Sequence, residues 1–313
     1  MQTDIDDRPL FGIGLKVGSV VLLLGMASLI KVTADSVPVG QIVFFRSLFA
    51  IPVILGWLAW RGALREGLRT ANPMGHLWRG LIGVTAMACI FTGLGLLPLP
   101  EVTAFTYASP ILVTLFAALF LGERIRAWRI SAVSIGFVGV IVMLWPRLGG
   151  ASLGGDGPLD TATIGALVMV LAAVLMALAT VTVRQLVHGE STGAIAFYFS
   201  LTCTVVALVT LPFGWVWPSA TDLTCLILAG LLGGAGQILL TESFRHADAA
   251  VIAPFEYSSL VLSLAVGWFV FAEVPPLATL PGALMVILAG IIIVWREHVV
   301  KRVPRAPRPR VAP

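Results

Sequence analysis

The sequence contains little charge: Asp, Glu, Lys and Arg make up only 12% of its 313 residues, whereas 58% of the residues are hydrophobic. About a quarter of the residues of an ordinary soluble domain are charged, so this chain could not cover a water-facing surface with polar groups. Lipid is therefore the expected solvent, and no stretch has the composition of a separate soluble domain.

The motifs that enzymes and ATP-driven pumps need are also missing from the sequence. It has no HExxH, GxSxG or P-loop pattern, its four histidines are scattered, and its three cysteines lack CxxC spacing. These absences argue against a catalytic centre, a metal site and a nucleotide site. We therefore expect no enzymatic activity, no metal and no cofactor. A polytopic membrane enzyme and a non-transporting membrane scaffold stay open as alternative functions.

Ten apolar runs fill most of residues 11–296, and each is long enough, or nearly so, to cross about 30 Å of hydrocarbon. Short connections rich in turn residues separate them, and the longest connection is the glycine-rich stretch around residues 149–158. The pattern predicts an all-α integral membrane protein with ten transmembrane helices, five on each side of this stretch.

The Lys and Arg residues are distributed very unevenly between the two sets of loops. With both termini on one side, fifteen of the 20 Lys and Arg residues fall on that side, and only Arg147 falls on the other. The positive-inside rule then predicts a multi-pass inner-membrane protein with both termini in the cytoplasm. The basic, proline-rich tail, residues 297–313, is expected to be disordered and to contact anionic lipid headgroups rather than nucleic acid.

An internal repeat becomes visible when the segment Gly80–Glu123 is laid on Gly230–Glu273, a shift of 150 positions without a gap. The matched pairs include Gly83 with Gly233, Phe105 with Phe255, Tyr107 with Tyr257, Ser109 with Ser259, and Glu123 with Glu273. Because five is an odd number of helices, the second half is expected to be inverted relative to the first. Inverted repeats are a common plan of secondary transporters.

Two long stretches carry a family resemblance. Residues 97–144 (LPLPEVTAFTYASPILVTLFAALFLGERIRAW and onward) and residues 246–297 (HADAAVIAPFEYSSLVLSLAVGWFVFAEV and onward) both resemble the EamA repeat of the drug/metabolite transporter superfamily. The resemblance implies a first repeat at residues 11–146 and a second at 161–296, with a central cavity between them. It further implies transport of a small polar metabolite by alternating access, and it leaves the oligomeric state open, a homodimer included.

Two shorter stretches, VGQIVFFRSLFA in the second run and APFEYSSL in the ninth, resemble a narrower branch of the superfamily. That branch includes riboflavin-type and S-adenosylmethionine-type uptake carriers. The superfamily also contains exporters of amino acids and other metabolites. Uptake and export therefore both remain open at this point.

Two charges inside the apolar runs are candidates for the transport site. A charge at the centre of a membrane helix costs about 2.5–3.5 kcal/mol on insertion scales and therefore needs a reason. Arg46 is predicted to face the cavity and attract an anionic or polar substrate group, the alternative being that it snorkels to the headgroups. Glu256, which closely follows Pro254, could carry a proton, bind a substrate amine or pair with Arg46, the alternative being a structural ion pair.

Four uncharged residues complete the predicted substrate-binding set. Tyr107 and Tyr257 match in the repeat and are predicted to face each other, where their rings could stack on a planar ligand, although ordinary aromatic packing is the alternative. Gln237 and Ser259 could bond the ligand with their polar groups. Hydrogen bonds between helices are the alternative for both.

Several other charges have the spacing of structural residues. Lys31 and Asp35 are four residues apart and are expected to pair. Arg79 is expected near the cytoplasmic boundary, where its side chain could snorkel. Glu123 and Glu273 each follow a long run and are expected to hold helix ends together.

Overall fold

A computed structural model of the chain describes residues 9–121, 127–150, 160–186, 189–246, 255, 258–275, 277 and 280–302. Within these ranges the chain forms twelve helices and no strand. Their bounds are α1 Pro9–Thr33, α2 Val39–Trp60, α3 Leu64–Gly67, α4 Pro73–Leu96, α5 Leu99–Thr106, α6 Ala108–Leu121, α7 Ala127–Gly150, α8 Thr161–Leu186, α9 Thr192–Leu208, α10 Ala220–His246, α11 Ser258–Phe271 and α12 Leu280–Arg302.

Five of these helices, α1, α2, α4, α8 and α10, are long and apolar enough to cross a membrane. Shorter apolar segments occupy parts of α7, α9, α11 and α12. A helix satisfies all its interior backbone hydrogen bonds within one segment, which is why apolar sequence in lipid folds this way. The prediction of an all-helical, multi-pass membrane protein is therefore confirmed at this level.

The fourth apolar run, residues 102–121, does not form the single helix that its hydropathy predicts. It forms two helices, α5 and α6, which meet at Tyr107. Pro110 explains the break, because it has no amide hydrogen for the carbonyl of Thr106 and its ring opposes a continuous helix. The Tyr107 amide instead bonds the Ala104 carbonyl, three residues back, at 3.2 Å. The run therefore contains a break that its hydropathy does not predict.

Helix α4 begins at Pro73, three residues before the apolar run that starts at His76. Asn72 caps it by accepting a hydrogen bond from the Gly75 amide at 2.9 Å, and Pro73 takes the first helical position. Both residues have strong preferences for these positions at a helix start. The earlier start changes the depth of every later residue in α4, including Arg79.

Helices from the two halves of the chain pack against each other throughout the bundle. Helix α1 lies against α10, α4 against α8, α7 against α12, and α2 against both α9 and α10. Glycines allow the close crossings: a Cβ at Gly80 would strike Thr202, and one at Gly230 would strike Phe49. Small residues at crossings are the usual means by which membrane helices approach closely.

Candidate functional site

A cavity of about 370 Å³ lies between α2, α4, α8, α9 and α10. Its size falls within the range of about 300–1,000 Å³ that is typical of small-molecule sites. Most of the lining is apolar, with a few polar side chains among the aliphatic ones, as such sites usually have. The polar lining residues are Arg46, Arg79, Thr192, Ser200, Gln237 and Thr241.

The cavity lies toward one end of the bundle. We call this the proximal end; α2 and α10 end there, and α4 and α9 begin there. Its lining comes mainly from the C-terminal halves of α2 and α10 and from the N-terminal halves of α4 and α9. We call the opposite end, where α1 and α4 end and α2 begins, the distal end.

Arg46 enters the cavity from α2, and only 7% of its surface is exposed. It is the eighth residue of that helix, about 10 Å along the axis from its start. Its Nε is buried without a hydrogen-bond partner among the described residues. Gly233 makes room for the guanidinium group, since a Cβ at that position would lie 3.1 Å from Arg46 Nε. The side chain therefore faces the cavity.

Arg79 is the second guanidinium in the cavity, and the sequence reasoning missed it. Its guanidinium carbon lies 3.8 Å from the centroid of the Phe199 ring, and its Nε and Nη1 are buried without a partner in the part of the chain described. The helix start at Pro73 explains the error, because it places Arg79 about 9 Å along α4 instead of at the boundary. The expected boundary position was wrong.

The six predicted substrate-binding residues separate into three groups. Arg46 and Gln237 both line the cavity. Tyr107 and Ser259 lie together elsewhere and are hydrogen bonded through their hydroxyl groups, which joins the α5–α6 junction to the start of α11. Glu256 and Tyr257 lie outside the described residues. The ligand-binding role of all six stays a prediction.

An ion pair joins helix ends at the distal end of the bundle. Lys31 Nζ at the end of α1 lies 2.9 Å from Glu273 Oε1, just after α11. The ammonium group also donates to the carbonyls of Leu94 at 2.9 Å and Leu97 at 2.8 Å, at the end of α4. Glu273 Oε2 accepts from the Leu99 amide at 3.1 Å. This set of five residues, the distal cluster, joins four helix ends.

The distal cluster corrects one sequence expectation and agrees with another. Lys31 pairs with Glu273, 242 positions away, and not with Asp35, which is exposed. Bonding to the main chain at the end of α4 and the start of α5 outweighs a local pair with Asp35, because it satisfies carbonyl and amide groups that a helix end leaves free. Glu273 holds helix ends together as predicted, whereas Glu123 lies outside the described residues.

Further polar contacts strengthen the distal end. The side chain of Gln41, at the start of α2, bonds both backbone groups of Val216, with distances of 2.8 and 3.1 Å. Ser36 donates to the Asp222 carboxylate at 3.0 Å. The first contact joins the start of α2 to the segment before α10, and the second joins the α1–α2 turn to the first turn of α10.

At the proximal end, Glu190 connects the α8–α9 turn to the segment before α4. Its Oε1 accepts hydrogen bonds from Thr70 at 2.9 Å and from the amides of Ala71 and Asn72 at 2.8 Å each, and Oε2 lies 3.3 Å from His76 Nε2. Burial acts to raise the pKa of this carboxyl, but the hydrogen bonds together outweigh burial, so the pKa is lowered. The carboxylate is therefore well held in its charged form.

A second proximal contact joins the ends of α2 and α10. Arg61 Nη2 lies 2.7 Å from Glu242 Oε2, and the Arg61 guanidinium also lies over the Trp57 ring at 4.7 Å. This pair holds together the two helices that supply Arg46 and Gly233 to the cavity. The proximal contacts thus tie α2 to α10 and, separately, α4 to the α8–α9 turn.

The helical bundle is that of a polytopic membrane protein, and its internal cavity has the size of a small-ligand site. Both halves match the model of the EamA-like transporter family, at residues 10–145 and 163–296. The chain belongs to this family. Its members are transporters, so the expectation that the chain is not an enzyme is confirmed.

Named relatives cover most of the chain and agree on transport. The pseudopaline exporter of Pseudomonas aeruginosa strain UCBPP-PA14 is 33% identical over 269 residues, which cover 86% of this chain and 90% of that protein. The S-adenosylmethionine uptake transporter of Rickettsia felis is 29% identical, covering 82% and 83%. The riboflavin transporter of Rhizobium johnstonii is 29% identical, covering 83% and 81%.

A solved crystal structure shares the fold. It superposes with a TM-score of 0.62 at 21% sequence identity, and the match covers 93% of this chain and 98% of the other. At this identity the likeness supports the fold alone.

Proposed function

We propose that this protein carries a small polar metabolite across the inner membrane by alternating access, with the cavity as its substrate site. The observation that carries the proposal is the buried guanidinium of Arg46 in a cavity between helices of both halves, while polar contacts join helix ends at the distal end. A buried charge in a membrane helix bundle typically marks a substrate or ion pathway. Membership in a transporter family adds independent support.

In this proposal the chain forms ten transmembrane helices in two inverted five-helix repeats, with α5 and α6 together making one crossing. The packing supports this repeat relation. If α1 is exchanged with its counterpart α8, and α4 with its counterpart α10, the α1–α10 contact becomes the α8–α4 contact, and both contacts are present. The 150-residue offset also relates Phe49 to Phe199, and Gly83 to Gly233, at the cavity and its adjoining crossings. Rocking of the repeats around the cavity would expose it alternately to each side.

The Lys and Arg distribution assigns the sides. Both termini and the proximal end are proposed to be cytoplasmic, and the distal end periplasmic. The state described here would then be closed to the periplasm by the distal cluster. Reporter fusions in the α2–α4 loop and in the α1–α2 loop test this, with cytoplasmic activity expected only for the first. The reverse result would contradict the assignment.

The proposed substrate contacts are Arg46 and Gln237 in the described cavity, with Tyr107, Glu256, Tyr257 and Ser259 as further members. Glu256 is the candidate for a proton-carrying carboxylate, which would couple transport to a proton gradient. Glu256→Gln should then abolish the dependence of flux on the pH difference while leaving exchange at equal pH. An unchanged pH dependence would rule out this role.

Flux in membrane vesicles tests the function itself. Right-side-out and everted vesicles would be supplied with labelled S-adenosylmethionine, riboflavin and amino acids, because the relatives include both uptake carriers and an exporter. We expect saturable flux of one solute, lost at least about tenfold in Arg46→Gln and retained in Arg65→Gln, whose exposed side chain lies outside the cavity. Flux that does not change in Arg46→Gln would contradict the proposed site.

A further inference from the structure

The cavity brings together two arginines from different helices, Arg46 of α2 and Arg79 of α4. Both guanidinium groups line one cavity of about 370 Å³. Among the described residues that line the cavity, none is Asp or Glu. The site therefore concentrates positive charge in a largely apolar setting, where like charges interact more strongly than in water.

Both guanidinium groups still have hydrogen-bonding capacity. Arg46 Nε, and Nε and Nη1 of Arg79, are buried and make no hydrogen bond within the described chain. Buried donors of a charged group are costly to leave unused, which makes an anionic ligand the natural partner. The planar guanidinium fork fits a carboxylate with two parallel hydrogen bonds, and a single ammonium group cannot reproduce that geometry.

The surroundings hold the two groups in place before a ligand binds. The Phe199 ring stacks against the Arg79 guanidinium, and Gly83 provides space beside it, since a Cβ there would strike both groups. Gly233 provides the corresponding space beside Arg46. Gly83 and Gly233 are the pair that the 150-residue repeat relates. Each half thus contributes one glycine that admits one guanidinium group.

We propose that the solute of this site is a small organic anion, best a dicarboxylate, whose carboxylates bind Arg46 and Arg79. This inference rests on the proposed function in so far as the cavity is the transport site. It extends that function by naming the substrate class and by assigning Arg79 as a specificity-determining residue. Riboflavin, being neutral, and a purely cationic solute would lack the charge that this pair selects.

Ligand-dependent thermal stabilisation of the purified full-length protein tests the inference. The probes are succinate, glutarate and citrate, with succinamide and glutaramide as neutral isosteres. We expect concentration-dependent stabilisation by at least one carboxylate and none by the amides. Stabilisation by no carboxylate, or equal stabilisation by the matched amide, would overturn the proposal, and this comparison needs no variant.

Arginine variants then locate the site. Arg46→Lys and Arg79→Lys keep the charge but lose the fork, and each should weaken the apparent affinity for the stabilising carboxylate roughly tenfold or more. Arg65→Lys, an exposed position outside the cavity, should leave the affinity unchanged. Unchanged affinity in both cavity variants would overturn the assignment.

Proteoliposomes separate this inference from the proposed function. Flux of the labelled carboxylate that stabilises the protein would support both. Binding of a carboxylate without flux of any tested solute would count against transport but leave the two-arginine site intact. Flux of a neutral or cationic solute, without carboxylate binding, would leave transport intact and overturn the anionic substrate class.

Discussion

Removal of the Lys31 ammonium group should open the distal end of the bundle. This one group pairs with the Glu273 carboxylate and bonds two carbonyls at the end of α4. Its side chain is 10% exposed, and that of Glu273 is 26% exposed. In Lys31→Ala the Glu273 carboxylate keeps only its bond from the Leu99 amide in the cluster, and the carbonyls of Leu94 and Leu97 lose a charged donor.

The magnitude follows from the burial of the pair. Breaking a fully buried ion pair costs about 3–5 kcal/mol, whereas an exposed pair contributes at most about 1 kcal/mol. The partial exposure of Glu273 places the Lys31→Ala effect between these limits, at about 2 kcal/mol. If this energy favours the distal-closed state alone, the population of the distal-open state rises about thirtyfold.

Cysteine accessibility measures that population. The reporter is Ala196→Cys, at a partly exposed residue of the cavity lining, in a chain whose three native cysteines have been replaced. A membrane-impermeant maleimide applied from the distal side should label the reporter up to about thirtyfold faster in Lys31→Ala than in the parent. Glu273→Gln should act in the same direction, and the double variant should add little, since both disrupt one pair.

Asp35→Asn provides the matched control for these variants. It removes a carboxylate near Lys31 that belongs to the same surface pocket but does not pair with it, so labelling should match that of the parent. If distal labelling in Lys31→Ala equals that of the parent, the distal cluster does not hold this end closed. An equal increase in Asp35→Asn would point to a general effect of surface charge instead.

Three further predictions concern single contacts. Because hydrogen bonds lower the pKa of Glu190, its stabilising effect is complete above the ordinary glutamate pKa and is lost as the pH falls through the lowered pKa. Glu190→Gln should weaken the dependence of the melting temperature on pH in the acid range, and an unchanged dependence would refute this. Gly233→Ala should weaken carboxylate binding by displacing the guanidinium beside it, whereas Gly56→Ala, with open space around its Cβ, should not. Tyr107→Phe and Ser259→Ala should each destabilise the protein by about 1 kcal/mol, with no further loss in the double variant; additive losses would show that their hydrogen bond contributes little.

The class of fold could be predicted because it depends on properties that short windows of sequence carry. Low charge and long apolar runs indicate lipid as the solvent. Lipid favours helices, because a helix satisfies its backbone hydrogen bonds within one segment. The repeat could be detected because Tyr107, Ser109 and their partners recur at one constant offset. The break at Tyr107 was missed because hydropathy averages over a window and gives little weight to one residue such as Pro110.

Long-range partners could not be predicted in the same way. Lys31 was assigned to Asp35 because local spacing was the available guide, whereas its partner Glu273 is fixed by the packing of α1 near α11. Arg79 was assigned to the boundary because the start of α4 was placed three residues too late. Arg46 was expected inside the bundle, and it lines the cavity, because its depth in an apolar run does not depend on the exact helix start; its role in binding stays a prediction.

The two arginines and the distal cluster lie on the same pair of walls. Arg46 belongs to the wall of α2 and α10, and Arg79 to the wall of α4 and α9, with α2 also packed against α9 where the two walls meet. Lys31 joins these walls at the distal end, because α1 packs on α10 while the ammonium group bonds carbonyls at the end of α4. A ligand held by both arginines and the distal cluster would thus connect the same walls at different depths of the bundle.

Anion binding should therefore bias the distal end. An anion held by both arginines would relieve their repulsion and draw the walls together around the cavity, which strains the distal contacts. The carboxylate that stabilises the protein should then speed distal-side labelling of Ala196→Cys in the parent chain. Labelling from the proximal side is measured in parallel, because a ligand that only shields the cysteine would slow labelling there. In Arg79→Gln the acceleration should vanish, because a ligand held by Arg46 alone contacts one wall and has no differential affinity for the two states. Acceleration that persists in Arg79→Gln would show that the two walls are not coupled through the ligand.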